Sequence, residues 1–545
     1  MTKKIKIYFL QPTLVSGLKT QSLENYSTQQ VFINPTPLYL DSYIKIQDPV
    51  LHQNIEWNKF QIENITQEQL LKDLENNNIN VLCVSVYVWN CKSTLDILKG
   101  IKQKLSHDIT IIVGGPSVTV ARNQNFLKEN PDIDYFIYAQ GENPFLTILQ
   151  HLVFEKKINP LTIKNCAWHD KTANKFKVAD YEFLKIRHSP YLISQDLLKN
   201  LIIDYLKLFK LNQLVLVWET TRGCPYNCSF CDWTSGLGNK VSKRDPDYNQ
   251  ELELFASLDL FNLTLADANF GIYNQDIEIV DCLIDLKKTK GYQFSLTGIN
   301  WSKTKKNIVF DQIKKLMTAD IIIYPKISLQ DIHENVLKNI DRPDITWTET
   351  VEYINDIKKN FPDRYVVIEL IQGLPGQTRE SWEQTLTQCL NLKYADLYTH
   401  PWILIPNSPA DYDKEYAANM KLQTLSQLVN NYTNNMTSDL IVSTVSYSVH
   451  DYAYMNMLSY IAEQLLNSDQ FDICLLFPIF AQALKQHANL DQILSNLVNE
   501  LGDRSRIRLV MTQIYIGLLK KVITQGISKE LQRKLMGTTK IATSK

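Results

Sequence analysis

Apolar positions along the chain fall into two series of short runs alternating with helical periods, followed by a stretch with helical periods only. In the first series, residues 5–10 carry a short buried-strand pattern, residues 67–76 have helical spacing, and residues 81–86 are a continuous apolar run. A run of that length bounded by polar turns predicts a strand covered on both faces. Helical spacing returns over 93–105, with Ser93 or Thr94 as its N-cap. Strands are predicted over 109–113 and 134–139, and helices over 118–129 and 143–154. This alternation predicts a doubly wound, Rossmann-like parallel sheet with ligand space beyond the C-terminal ends of its strands. Residues 155–215 are more polar and mixed.

The second series predicts strands over 214–219, 260–265, 293–297, 321–329, 365–371 and 397–405, with helices over 276–290 and 380–392. Six strand–helix repeats predict a partial (β/α)6 barrel, whose chemistry sits at the C-terminal ends of the strands. From 411 onward only helical periods follow, one running to residue 466, then 475–487, 490–501 and 509–522. The expected fold is α/β with a helical C-terminal region. The expected divisions are 1–185, a linker over 186–213, the barrel over 214–410, and a helical domain over 411–545.

Composition narrows the function. A length of 545 residues accommodates roughly three domains at about 150–200 residues each. A hydrophobic content of 44% supports real cores, and a net charge of −1 gives no basic excess, so nucleic acid is not the expected partner. The N-terminal apolar run is too short for a secretion signal, and no run is long enough to span a bilayer. A reducing, cytoplasmic setting is therefore expected for the nine cysteines.

Three of those cysteines, Cys224, Cys228 and Cys231, stand at C-x3-C-x2-C spacing directly after the apolar run at 214–218. Three thiolates on one loop can cap three corners of a cubane iron–sulfur cluster and leave the fourth iron open. A zinc knuckle usually supplies four ligands, and no fourth Cys or His lies nearby. With Phe230 just before the last cysteine, the stretch resembles the signature of the radical S-adenosylmethionine (SAM) superfamily. The pattern Ser85…Tyr87-x-Trp89-Asn90…Gly114-Gly115-Pro116…Gly141-Glu142 resembles the cobalamin-binding domain that precedes the barrel in one large branch of that superfamily. The D-x-H-x-x-G motif of many cobalamin domains is absent, as it is in many members of this branch.

The resemblance implies a [4Fe-4S] cluster held by Cys224, Cys228 and Cys231, with SAM on the open iron cleaved to a 5′-deoxyadenosyl radical. It implies SAM contacts at Asp267 and Asn269 (methionine amino group), Ser328 and Gln330 (ribose and carboxylate), Gly373, Leu374 and Pro375 (adenine side) and Phe230. It implies a cobalamin site at Ser85, Tyr87, Gly114, Gly115, Ser117, Gly141 and Glu142, although Gly114 and Gly115 serve a plain tight turn equally well. The activity implied first is cobalamin-dependent C-methylation of an unactivated carbon in a small molecule or peptide, fed by a flavodoxin- or ferredoxin-type reductant. The alternative is cobalamin-independent peptide epimerisation, with a cysteine thiol returning the hydrogen atom. Cys389, Cys474 and Lys303 are the catalytic candidates, against structural burial for the cysteines and a solvated surface role for the lysine.

Overall fold

The computed structural model describes residues 4–12, 30–119, 124–156, 158, 163–170, 175–233, 240–244, 247–302, 306–342, 345–392, 395–428, 439–466 and 473–524. Its N-terminal part is a seven-stranded sheet in the order Ile55–Gln61, Ile5–Leu10, Val81–Ser85, Thr110–Gly114, Tyr135–Ile137, Cys166–Asp170, Lys175–Val178. The first five strands are parallel, and the last two add an antiparallel edge. Successive residues of a strand point to opposite faces. Accordingly Val81 and Cys83 join one apolar core with Leu38 and Phe145, while Leu82 and Val84 join another with Leu70 and Leu95. The helices Thr36–Gln47 and Glu142–Phe154 cover the first face, and Gln67–Asn77 and Cys91–Leu98 the second. The doubly wound arrangement expected from the alternation is present.

Several boundaries differ from the sequence expectation for local reasons. The helix expected over 93–105 ends at Leu98, because Gly100 turns the chain at φ +70. The strand expected over 321–329 begins at Lys326, directly after Pro325, which has no N–H to give a ladder. The mixed stretch 155–215 holds the two antiparallel edge strands and a buried helix, Gln195–Leu206. Of the helix expected over 118–129, the described part is Gln124–Glu129.

The barrel comprises two parallel sheets. One runs Ser295–Gly298, Asn262–Leu265, Leu214–Trp218, Val31–Ile33, and the other Lys326–Gln330, Val366–Gln372, Ala395–Pro401. The Leu296 amide donates to the Ile321 carbonyl at 2.9 Å where the two meet. The six expected strands are all present. The added one, Val31–Ile33, comes from the N-terminal region and pairs with Leu214–Trp218. The helices Val449–Leu466, Ile473–Lys485, Leu490–Glu500 and Arg504–Thr524 form the C-terminal layer. The first two dock on the barrel helix Arg379–Leu390, where Trp382 Nε1 donates to Ser459 Oγ at 3.1 Å, and the last two pack on them. Among the described residues, no helix is long and apolar enough to cross a membrane.

Candidate functional site

The strand Leu214–Trp218 is apolar along its length and delivers the cysteine loop to the barrel mouth. Thr221–Arg222 pairs antiparallel with Ser242–Lys243 and closes the base of the loop. Gly223 sits there at φ +92, and a Cβ on it would lie 2.1 Å from the Lys240 carbonyl oxygen. Only glycine fits both the angle and the space. Cys224 is buried, and Cys228 and Cys231 are partly so. Burial pushes the Cys231 thiol up, and the nearby Asp232, Cys228 and Cys224 push it further, so the three thiols feel one another. Yet among the described residues no three Cys, His, Asp or Glu side chains gather as around a single metal ion. Three thiolates without a fourth ligand are the donor set of a cubane with one open iron, whereas a structural zinc site takes four.

Backbone and side-chain groups of other elements pin the loop. The Ser229 amide donates to the Ile340 carbonyl and its carbonyl accepts from the Ala410 amide, both at 2.9 Å. Gln275 Nε2 donates to Thr221 Oγ1 at 2.8 Å. Asp267, expected beside the methionine amino group, instead faces the start of the loop. It accepts from the Thr220 amide at 2.8 Å, the Thr221 amide at 3.1 Å and the Thr220 hydroxyl. Burial pushes its carboxyl up to about 7, in spite of those donors. Asn269, two residues on, places its amide Nδ2 2.9 Å from Cys224 Sγ.

On the second sheet, Ser328 Oγ donates to Glu369 Oε2 at 2.6 Å, and Lys326 Nζ lies 3.1 Å from Glu369 Oε1. Burial opposes the charge on Glu369, but His400, Lys326 and Ser328 together hold its carboxyl down at about 2. Arg342 donates to the Ser328 carbonyl and lies 5.7 Å from the centre of the Phe230 ring. A bulge after Ser328 leaves Gln330 at φ +68, with its side chain buried. The turn Gly373-Leu374-Pro375 is tied by Gln377 Oε1, which accepts from the amides of Gly373 at 2.7 Å and Leu374 at 3.0 Å. Tyr447 from the tail donates to the Gly373 carbonyl at 2.5 Å. Phe230 packs on the satellite core that contains Leu374 and Trp402.

The N-terminal sheet presents its own C-terminal edge. The Val86 amide donates to the Gly114 carbonyl at 2.8 Å, and the Ser117 amide to the Val86 carbonyl at 3.3 Å. Gly115 stands at φ +112, and a Cβ there would lie 2.4 Å from the Val86 carbonyl oxygen. Tyr87 stacks on Trp89 with ring centres 4.7 Å apart, and Ser85 is buried at the strand end. Ser117 is 2% exposed, and its hydroxyl has no hydrogen-bond partner among the described residues. A polar atom buried in this way at a ligand edge fits a polar group of a bound cofactor. Gly141 caps the helix that begins at Glu142.

Glu142, at the same edge, also reaches the barrel, while its Oε2 is buried with no hydrogen-bond partner among the described residues. Its carboxylate takes a hydrogen bond from Arg222 Nη1 at 2.6 Å, with both side chains largely buried. Arg222 also forks onto Glu219, with Nη2 2.9 Å from Oε2, and lies over the Tyr39 ring at 4.7 Å. Asn407, after the last barrel strand, donates to the Pro116 carbonyl at 2.9 Å. The two C-terminal edges thus meet through the cysteine loop on one side and the loop after Ala395–Pro401 on the other.

The catalytic candidates do not gather here. Cys389 is 1% exposed within the core-facing side of Arg379–Leu390, and Cys474 Sγ donates to the Leu390 carbonyl at 3.1 Å. Cys389 thus lies in a barrel helix and Cys474 in the C-terminal helix packed on it. Lys303 lies outside the described residues. Arg222, Gln377 and Asn407 are not among the expected site residues, although each stands in a loop that follows a barrel strand.

Comparison with known proteins agrees with this geometry. Residues 218–389 match the model of the radical SAM superfamily, and residues 59–149 that of the B12 binding domain. The chain is 29% identical over 339 residues to the cobalamin-dependent radical SAM methyltransferase TokK of Streptomyces tokunonensis, covering 61% of this chain and 48% of that protein. It is 27% identical over 343 residues to the 2-(S-pantetheinyl)-carbapenam-3-carboxylate methyltransferase of Streptantibioticus cattleyicolor, covering 62% and 49%. The chain thus spans about half the length of these curated relatives. In structure it is similar to the cobalamin-dependent S-adenosylmethionine radical enzyme OxsB, with a TM-score of 0.62 at 14% identity over 99% of this chain and 83% of that one. A region matching the B12 binding domain thus precedes one matching the radical SAM superfamily in this chain, the order to which the cysteine loop and the N-terminal sheet edge also point.

Proposed function

We propose that this protein is a cobalamin-dependent radical SAM methyltransferase acting on an unactivated carbon. The observation that carries the reading is the meeting of two edges. The B12-binding sheet and the radical SAM barrel point their C-terminal ends at each other, joined by Arg222–Glu142 and Asn407–Pro116. Bound in that gap, the cluster with SAM would supply hydrogen abstraction and cobalamin a transferable methyl group.

In this reading Cys224, Cys228 and Cys231 hold the cluster, and Gly223 lets the loop fold tightly enough to present them. Asp267 positions the loop through Thr220 and Thr221. Ser328, Gln330 and the Gly373-Leu374-Pro375 turn, backed by Glu369, Gln377 and Tyr447, line the SAM side. Ser85, Tyr87, Gly115 and Ser117 line the cobalamin side, and Glu142 ties that side to the cluster loop. The substrate is a small molecule or peptide, and the electron comes from a flavodoxin- or ferredoxin-type donor. A cytoplasmic setting suits nine cysteines that are all free thiols. Epimerisation is not proposed. The named relatives are methyltransferases, and its thiol candidates Cys389 and Cys474 sit in a barrel helix and in the C-terminal helix packed on it.

The test is anaerobic reconstitution with iron, sulfide and cobalamin, then turnover with methyl-deuterated SAM and candidate substrates. Stoichiometric cobalamin, deoxyadenosine formation and a product carrying the labelled methyl group are expected. A preparation that cleaves SAM but binds no cobalamin would sink the methyltransfer.

A further inference from the structure

The segment after the strand Asn262–Leu265 is fixed more firmly than a plain turn requires. The Phe270 amide donates to the Asn300 carbonyl and the Ser302 amide to the Phe270 carbonyl, both at 2.8 Å, which extends the sheet by a bridge to Trp301. The Gly271 amide donates to Asp276 Oδ2, also at 2.8 Å. Asp267 Oδ1 accepts from two amides at the root of the cysteine loop. Between these anchors stands Asn269, whose Nδ2 lies 2.9 Å from Cys224 Sγ. The residues next to Asn269 and the start of the loop are each held by hydrogen bonds, so the framework on both sides sets the contact. Cys224 is also the buried member of the three, where a hydrogen bond acts in low dielectric and counts for more.

An amide N–H pointing at a thiolate ligand favours whichever cluster state carries more negative charge. Addition of one electron to the cluster raises that charge, so the donor stabilises the reduced state and raises the reduction potential. We propose that Asn269 is a positioning residue for the cluster, setting its redox poise through a hydrogen bond to Cys224. The inference rests on the cysteine triad's being the cluster ligands. The couple is a one-electron one, the oxidised cluster taking a single electron from an external low-potential donor with no bond made or broken.

The test is a redox titration of the anaerobically reconstituted full-length protein, without SAM, following the reduced cluster by electron paramagnetic resonance. The variants Asn269→Leu and Asn269→Asp lose the donor; Asn269→Gln keeps an amide on a longer arm. At the wild-type midpoint, the reduced-to-oxidised ratio of Asn269→Leu is expected to fall about tenfold, a shift of about 59 mV for one electron. Asn269→Asp should fall at least as far, because a carboxylate adds charge beside the thiolate. Asn269→Gln should recover part of the difference. Resonance Raman of the same samples should show the Fe–S(Cys) stretch move in Asn269→Leu. Iron content separates the two ideas. If the wild type assembles no cluster, the ligand assignment fails. If wild type and variants all assemble clusters with the same midpoint and the same Fe–S stretch, the role of Asn269 is overturned.

Discussion

The two edges that face each other are built by different means. On the B12-binding side backbone bonds lead, Val86 to Gly114 and Ser117 to Val86, with Gly115 making room for the crossing and Asn90 as the side-chain tie, its Oδ1 accepting from the Tyr87 amide at 2.7 Å. On the barrel side, side chains do the closing. Asp267 holds Thr220 and Thr221, Gln377 holds Gly373 and Leu374, and Asn269 meets Cys224. A cluster-bearing loop is irregular, so its amides have no ladder to join and each turn needs its own acceptor. The difference teaches where each edge is vulnerable. The first depends on Gly115 and Asn90, the second on several separate polar residues beside the backbone bonds of Ser229.

The largest expected effect lies on the barrel side. Replacing Cys228 with alanine should take deoxyadenosine formation to background under reductant and SAM, while cobalamin binding by the other edge persists. Loss of both together would mean that the edges do not fold independently of the cluster.

Glycine substitutions compare the edges directly. Gly223→Ala and Gly115→Ala each force a Cβ onto a backbone carbonyl at positive φ. Each should cost roughly 1–3 kcal/mol in strain, plus the clash. Gly223→Ala should lower bound iron and spare cobalamin, and Gly115→Ala the reverse, as iron assay and cobalamin absorbance would report.

A pH dependence belongs to the barrel side through Asp267. Its folded pKa of about 7 stands above the unfolded carboxylate value of about 3.9. The folded state therefore binds the extra proton. The stability it contributes is complete below about pH 4 and is lost as pH rises to about 7. Denaturant titrations of the cluster-free protein should show the difference between wild type and Asp267→Asn changing across that window and flat above it. A difference that is constant with pH would contradict the assignment.

The smallest effect tests the quiet edge. Ser117 Oγ makes no hydrogen bond within the described protein, so Ser117→Ala should leave the melting temperature unchanged. Cobalamin affinity should weaken about 2- to 10-fold, the worth of one hydrogen bond. A drop in stability with unchanged affinity would make Ser117 a packing residue.

The same contrast explains what the sequence discloses. Val81–Ser85 and Leu214–Trp218 are legible because both faces are buried and the apolar run is unbroken. Ile55–Gln61 is not, because an edge strand with one half-exposed face reads as IEWNKFQ, too polar for the same signal. Val31–Ile33 is too short for any period to register. The cysteines are legible from spacing alone, and Asp267 and Asn269 from their place at a strand end. What Asp267 touches is not, since its acceptor geometry comes from a loop on the neighbouring strand. That Glu142 meets Arg222, distant in the chain, is not legible either.

The short strand Val31–Ile33 has a consequence for how the molecule is made. The chain lays Ile5–Leu10 in one sheet, Val31–Ile33 in the other, and Ile55–Gln61 back in the first. During synthesis the N-terminal sheet can close early, but Val31–Ile33 must wait for Leu214–Trp218 to leave the ribosome. At about 5–20 residues per second, that is roughly 10–40 s of translation. The nascent chain carries an unpaired strand edge for that time. A truncation that begins at the barrel would leave the facing edge of Leu214–Trp218 unpaired for good. The two halves are woven together through this strand, so the barrel is complete only when its partner has been made first.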